Sequence, residues 1–363
     1  MIGIKQNDYG LEFAILFLIA FSGNAIFFGL DLFFLSLIPL VILIANKNKY
    51  PIPIKLIFLS LLISLLCAIL IVYSYQLNVT YTTYYTWPLK VFALSIFLPF
   101  FINSNVYNKS ALEIIIYSLI FFVLTVLIFG SYVDGRYTFL FGPNMLYRIV
   151  NIFLFLGILV SFSTKKKLLT IFLSALCLYL IVIIGSRGGL VLFTVFLLLM
   201  LFKYKKYFII LFSSIVIVCL IYFLNEEFRI LNFINLIENA RFLSWQAILD
   251  DGLEVKFRDY QSFEKYTIYG FPYPHNIFLE LIYFFGYVGL MLCLIISVSF
   301  IGSCYFFVKL KEVSSLLVCS IFYIGIFIGS LFSGDITDNY YLIGVSPILI
   351  YYFLFNRENY VVK

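Results

Sequence analysis

The chain has 363 residues, of which 64% are hydrophobic and 12% charged, with a mean hydropathy of +1.08. Soluble domains carry about 25% charged residues, so a water-soluble globular domain is excluded. The net charge of +6 reflects lysines gathered at the ends of apolar runs, so no nucleic-acid partner is expected.

A membrane-crossing helix needs about 20 predominantly apolar residues. Runs of this kind recur at 11–28, 30–45, 54–73, 88–102, 111–130, 144–162, 168–184, 189–202, 207–224, 276–308, 313–331 and 340–355. The run at 276–308 reads as an interfacial helix followed by a span. The expected fold is an all-α polytopic membrane protein of about 12 transmembrane helices. The short runs at 30–45, 88–102 and 189–202 leave a count of about ten or eleven open. Residues 1–363 read as one membrane domain, and the polar start at 1–10 leads into apolar runs without the pattern of a cleavable signal.

Lysines set the expected orientation. Asn46-Lys-Asn-Lys49, Lys165-Lys-Lys167, Lys203-Tyr-Lys-Lys206, Lys309 and Lys311 all fall on one side of the runs above. The positive-inside rule then places both termini in the cytoplasm. The arginines behave differently. Arg136, Arg148, Arg187, Arg229, Arg241 and Arg258 fall on the outer side, and only Arg357 falls inside. Guanidinium groups bind phosphate and carboxylate through paired hydrogen bonds, so the outer face reads as built for an anion. Pairing with loop carboxylates is the plainer account of the loop arginines. Arg148 and Arg187 lie within or beside apolar runs, where a charge is costly and usually functional.

The six cysteines all lie in apolar runs and form no Cys-x-x-Cys pair. They read as small buried hydrophobes, and no metal site is expected.

The other outer segments differ in character. Tyr81-Thr-Thr-Tyr-Tyr-Thr-Trp87 reads as an aromatic belt or a sugar-stacking platform. Ser333-Gly-Asp-Ile-Thr-Asp338 reads as a polar turn. Residues 225–274 form a loop of roughly 50 residues, long enough to be functional. Within it, Glu238–Asp250 (ENARFLSWQAILD) has helical apolar spacing, with Phe242, Trp245, Ile248 and Leu249 on one face.

The loop ends at Phe271-Pro-Tyr-Pro-His-Asn-Ile-Phe-Leu-Glu280, which holds the only histidine of the chain. His275 is therefore the one side chain whose ordinary titration lies near neutrality. It opens an apolar helix, whose positive N-terminal dipole disfavours an imidazolium. A neutral imidazole suits a general base; a polar cap at a helix start is the alternative reading. Upstream, the glycines of Ile183-Ile-Gly-Ser-Arg-Gly-Gly-Leu190 break two apolar runs around Arg187, either for a ligand or for a tight turn. Gly142-Pro-Asn-Met145 is a further break, leading into Arg148. No charged residue is expected near the middle of a span, which argues against an ion-coupled transporter.

These residues carry a family resemblance. His275-Asn276, nine residues and then Gly286-Tyr-Val-Gly289 matches the pattern His-(Asn/Ser/Gln)-x9-Gly-x-x-(Gly/Thr/Tyr). With the Gly185-Ser-Arg-Gly-Gly189 turn, and the long outer loop lying between the two, the chain resembles the O-antigen ligase and O-antigen polymerase superfamily of membrane glycosyltransferases. Val191 stands where the ligase pattern Arg-x3-Leu has leucine, which leaves polymerase and ligase both open.

The resemblance implies a C-type glycosyltransferase-like fold in the bacterial inner membrane, with a periplasmic active site. It implies an undecaprenyl-pyrophosphate-linked glycan as donor, membrane lipid as surroundings and a chain-length regulator as protein partner. No metal or cofactor is implied, because pyrophosphate is already a good leaving group. His275 would be the base and Arg187 the cation at the leaving pyrophosphate. Arg241, Arg258, Arg148, Arg136 and Asn276 would contact substrate. A polymerase of lipid-linked repeat units is the first expectation, a ligase to lipid A–core the second. A glycolipid flippase is the expectation from another class.

Overall fold

A computed structural model describes residues 26–27, 30–31, 33, 38, 53–76, 82–100, 109–133, 136–139, 142–164, 167–204, 240–250, 256–258, 262–263, 265–266, 274–332 and 338–355. The runs expected at 11–28, 30–45 and 207–224 lie wholly or mostly outside them, as do Arg229, Arg357 and the clusters at 46–49 and 205–206.

Ten α-helices stand among the described residues: α1 Ile54–Gln76, α2 Thr82–Phe97, α3 Lys109–Phe129, α4 Pro143–Thr164, α5 Lys167–Ile184, α6 Arg187–Lys203, α7 Ala240–Asp250, α8 Ile277–Lys309, α9 Ser315–Ser330 and α10 Tyr340–Phe355. Most follow the apolar runs to within a few residues, because a lipid-facing backbone must close its hydrogen bonds within its own helix. Among the described residues, three stretches are long and apolar enough to cross a membrane: Leu112–Phe129, Pro143–Ser161 and Ile277–Lys309. Shorter apolar stretches stand at Ile54–Leu70, Thr86–Phe97, Leu168–Ile184, Gly188–Lys203, Ser315–Ser330 and Tyr340–Phe355.

Packing buries an apolar interior with scattered polar groups and leaves rows of apolar side chains exposed on the perimeter. Every residue of α9 is buried. On the perimeter, Phe58 of α1 is 66% exposed and Phe121 of α3 is 73% exposed, within rows of exposed Leu and Ile. Water would not tolerate an apolar surface of this extent; a bilayer does. Buried hydroxyls tie the interior helices together, as expected where apolar attraction between helices is weak in lipid. The Tyr323 hydroxyl lies 2.9 Å from Ser346 Oγ and donates to the Ile296 carbonyl at 3.2 Å, linking α8, α9 and α10.

Two strands pair antiparallel after α3, Ser131–Val133 with Arg136–Thr138. Tyr137 pins them by donating to the Val126 and Leu127 carbonyls in the last turn of α3.

Two readings change. Thr82–Trp87 was expected in an outer segment but forms the first turns of α2. Lys90 therefore moves from the edge of a span to mid-helix. It is 0% exposed, with its ammonium 5.4 Å from the Tyr340 ring and 5.8 Å from the Phe33 ring. Arg148 and Glu280 are buried as well. Lys90 thus stands near the middle of its helix, contrary to expectation, because α2 begins at Thr82, well before the apolar run does, whereas Arg148 and Glu280 lie within the first two turns of α4 and α8.

Candidate functional site

The His275 motif builds a helical hairpin. Helix α8 breaks at Gly286, with φ 54 and ψ −125. In a straight helix Gly289 would lie roughly 12 Å along the axis from Leu281. Instead, a Cβ added at Gly289 would fall on the Leu281 carbonyl oxygen. Cys293 Sγ lies 3.9 Å from the Phe278 carbonyl oxygen. The short arm Ile277–Phe285 therefore doubles back along the arm that follows. Gly286 supplies a left-handed turn that a side chain would strain, and Gly289 supplies the space for backbone to meet backbone.

At the foot of the short arm stands His275, 7% exposed. Its φ of 56 makes it the one non-glycine residue with positive φ among those described. Such a conformation costs about 1–2 kcal/mol for an L-residue, and strain of this kind persists only where the surroundings over-determine it. Asn276 caps the helix, accepting from the Phe278 and Leu279 amides at 3.0 and 3.2 Å. Its Nδ2 donates to the Leu331 carbonyl at 3.3 Å. Both ends of the Asn276 amide thus hold the fold around His275.

Residues of the segment between α6 and α8 grip both ends of the hairpin. At the turn, the Arg258 amide donates to the Phe284 carbonyl at 3.1 Å, and its guanidinium lies 4.6 Å over the Tyr283 ring. The Tyr283 hydroxyl donates to the Ser262 carbonyl at 2.9 Å, and Phe263 and Tyr266 pack edge-on against Tyr283. Trp87 of α2 stacks on Phe285. At the foot, Trp245 Nε1 of α7 donates to the Pro274 carbonyl. Helix α7 buries Ser244 and Ile248, whereas Leu249 is 53% exposed and does not share that face as expected.

Beside His275, the end of α9 gathers the other motifs. Arg148 is 1% exposed. Its Nη1 donates to Asn339 Oδ1 at 3.0 Å and its Nη2 to the Gly329 carbonyl at 3.1 Å. A Cβ at Gly329 would press on the Arg148 side chain, which would have to shift. Tyr147 donates toward the same Gly329 carbonyl at 3.5 Å. The Ser-Arg-Gly-Gly turn packs onto Tyr147: Gly185 has φ +62, and a Cβ on Gly188 would come 2.7 Å from the Tyr147 hydroxyl. Asn151 Nδ2 bonds the Gly189 carbonyl at 3.3 Å.

The candidate residues thus divide. His275, Asn276, Arg148 and the backbone of Arg187, which opens α6, are joined through Tyr147, Gly329 and Leu331. Arg258 sits at the hairpin turn, one short arm or roughly 13 Å from His275. Arg241 lies one helical turn before Trp245 in α7. Arg136 lies in the strand pair between the ends of α3 and α5, paired with Val133. Sequence reasoning missed Asn339 as the Arg148 partner and Trp245 as the Pro274 partner. Only the helical spacing around Trp245 gave a signal.

No family model, no curated protein and no solved structure matches the chain.

Proposed function

We propose that this protein is a metal-independent glycosyltransferase of the inner (cytoplasmic) membrane. It joins undecaprenyl-pyrophosphate-linked repeat units into an O-antigen or capsular polysaccharide at the outer face, with both termini inside. The observation that carries this reading is the backbone of His275. The single imidazole of the chain is held in a strained conformation, at the foot of a hairpin shaped by the two glycines of its own motif.

In the proposed reaction an acceptor hydroxyl attacks the anomeric carbon of the donor. A C–O bond forms and the bond from that carbon to the pyrophosphate oxygen breaks. The hydroxyl proton passes to the His275 imidazole, and the electron pair leaves with the lipid pyrophosphate. Arg187 at the start of α6 would meet the charge that develops there, and fixed cations of this kind supply several kcal/mol without a metal. Arg241 and Arg258 come from the loop that covers the hairpin, and a chain-length regulator would act as partner.

Ligase activity toward lipid A–core is the second reading, favoured by the complete His-Asn-x9-Gly-x-x-Gly spacing. A flippase would need cations lining an open path. Lys90 and Arg148 lie within the helices but are enclosed on all sides.

Reconstitution with a lipid-pyrophosphate repeat unit tests the enzyme. His275→Gln should lower turnover by about 100-fold or more; unchanged turnover sinks the base role. Gene deletion separates the readings. A single repeat unit on the lipopolysaccharide marks a polymerase, and accumulated lipid-linked polymer with a bare core marks a ligase.

A further inference from the structure

We infer that Trp245 is the positioning residue of His275: its indole N–H fixes the peptide plane that sets the direction of the imidazole. This rests on the base role proposed for His275 and deepens it.

The geometry is local. The Pro274 carbonyl and the His275 amide belong to one rigid peptide unit. Fixing the carbonyl therefore fixes the plane about which the φ of His275 is measured. Trp245 Nε1 donates to that carbonyl. On the other side, the Asn276 side chain caps α8 and bonds the Leu331 carbonyl. His275 stands between a peptide tied to α7 before it and a residue after it, Asn276, whose side chain is tied to α8 and the end of α9. A chain free of either tie would relax to an extended backbone, which any L-residue prefers. The observed φ of 56 is what the two ties together impose.

Trp245 suits the task. Indole Nε1–H is a donor only, so it selects the carbonyl and offers no competing acceptor. The ring is half-buried, and its helix is seated by Ser244 and Ile248, both 1% exposed. The donor therefore comes from an ordered helix. A consequence follows for the loop: any shift of α7 is transmitted to the imidazole through one hydrogen bond. Arg241, one turn earlier in α7, would move with it. Docking of the outer loop and orientation of the base become a single event.

A merely structural tryptophan would hold the loop and leave the imidazole alone, and the lone histidine makes the two cases separable. Full-length protein labelled with 15N-histidine in lipid nanodiscs gives one imidazole signal set. Trp245→Phe keeps an aromatic ring and removes the N–H. The expected result is a displaced imidazole resonance with a moved titration midpoint. Turnover should fall about 10- to 100-fold at nearly constant KM, the scale of a misplaced reacting group. If Trp245→Phe does not fold, benzothienylalanine at the same position keeps ring size and shape and lacks only the N–H. A histidine spectrum identical to that of the unmodified protein, in whichever variant folds, overturns the inference whatever the turnover. His275→Gln with unchanged turnover would sink the base role instead and leave the spectroscopic result standing, so the two failures are distinguishable.

Discussion

Gly289 rests against the Leu281 carbonyl, eight residues back in the same helix, with no room for a β-carbon between them. That contact turns an apolar run of 33 residues into a short arm and a long one. Gly289→Ala must push the arms apart, and overpacking of this kind costs about 1–3 kcal/mol. Thermal unfolding in detergent should show the loss. Gly286→Ala should cost a further 1–2 kcal/mol or so for its left-handed backbone, with added conflict against the Lys256 backbone 2.8 Å away.

Arg148 spans two acceptors on different elements, and a point charge does not replace a fork. Arg148→Lys should therefore fail to restore what Arg148→Met removes. Removing the buried Arg148 donors from Asn339 Oδ1 and from the Gly329 carbonyl, which keeps the Tyr147 hydroxyl and the Phe332 amide, should cost about 1–3 kcal/mol. Unfolding midpoints of both variants check this. A Met variant as stable as the unmodified protein but with weakened donor binding would show that Arg148 serves substrate instead.

Asn276 holds the helix start with its oxygen and the Leu331 carbonyl with its nitrogen. Asn276→Ala should lose about 1 kcal/mol from the cap alone. Asn276→Asp keeps the cap acceptor and loses the donor to Leu331. Amide hydrogen exchange should show Phe278 and Leu279 deprotected in the Ala variant and protected in the Asp variant.

Arg258 fastens the loop to the hairpin turn by its guanidinium over Tyr283. A cation over an aromatic face contributes about 0.5–2 kcal/mol, more as it is desolvated. Arg258→Gln should speed proteolysis within residues 256–266 and leave the global unfolding temperature nearly unchanged. A loop as resistant as before would show that the packing of Phe263 and Tyr266 on Tyr283 suffices.

The apolar runs were readable because a lipid-facing helix must be continuously apolar. The motif glycines were readable because only glycine tolerates a positive φ or direct backbone contact. The placement of Lys90 was not: hydropathy set the start of its span at residue 88, whereas α2 begins at Thr82, so a residue read as lying at the edge stands mid-helix.

By itself the sequence determined that the chain is a helical membrane protein, where most of its helices lie and which segment carries its only imidazole, since composition, periodicity and residue type express these directly. The tertiary structure alone decided that the segment doubles back, that His275 is left-handed, that Trp245 holds Pro274 across 29 positions and that Arg148 reaches Asn339 across 191. These depend on which distant backbones come close enough to exchange a hydrogen bond, and no local pattern encodes that choice.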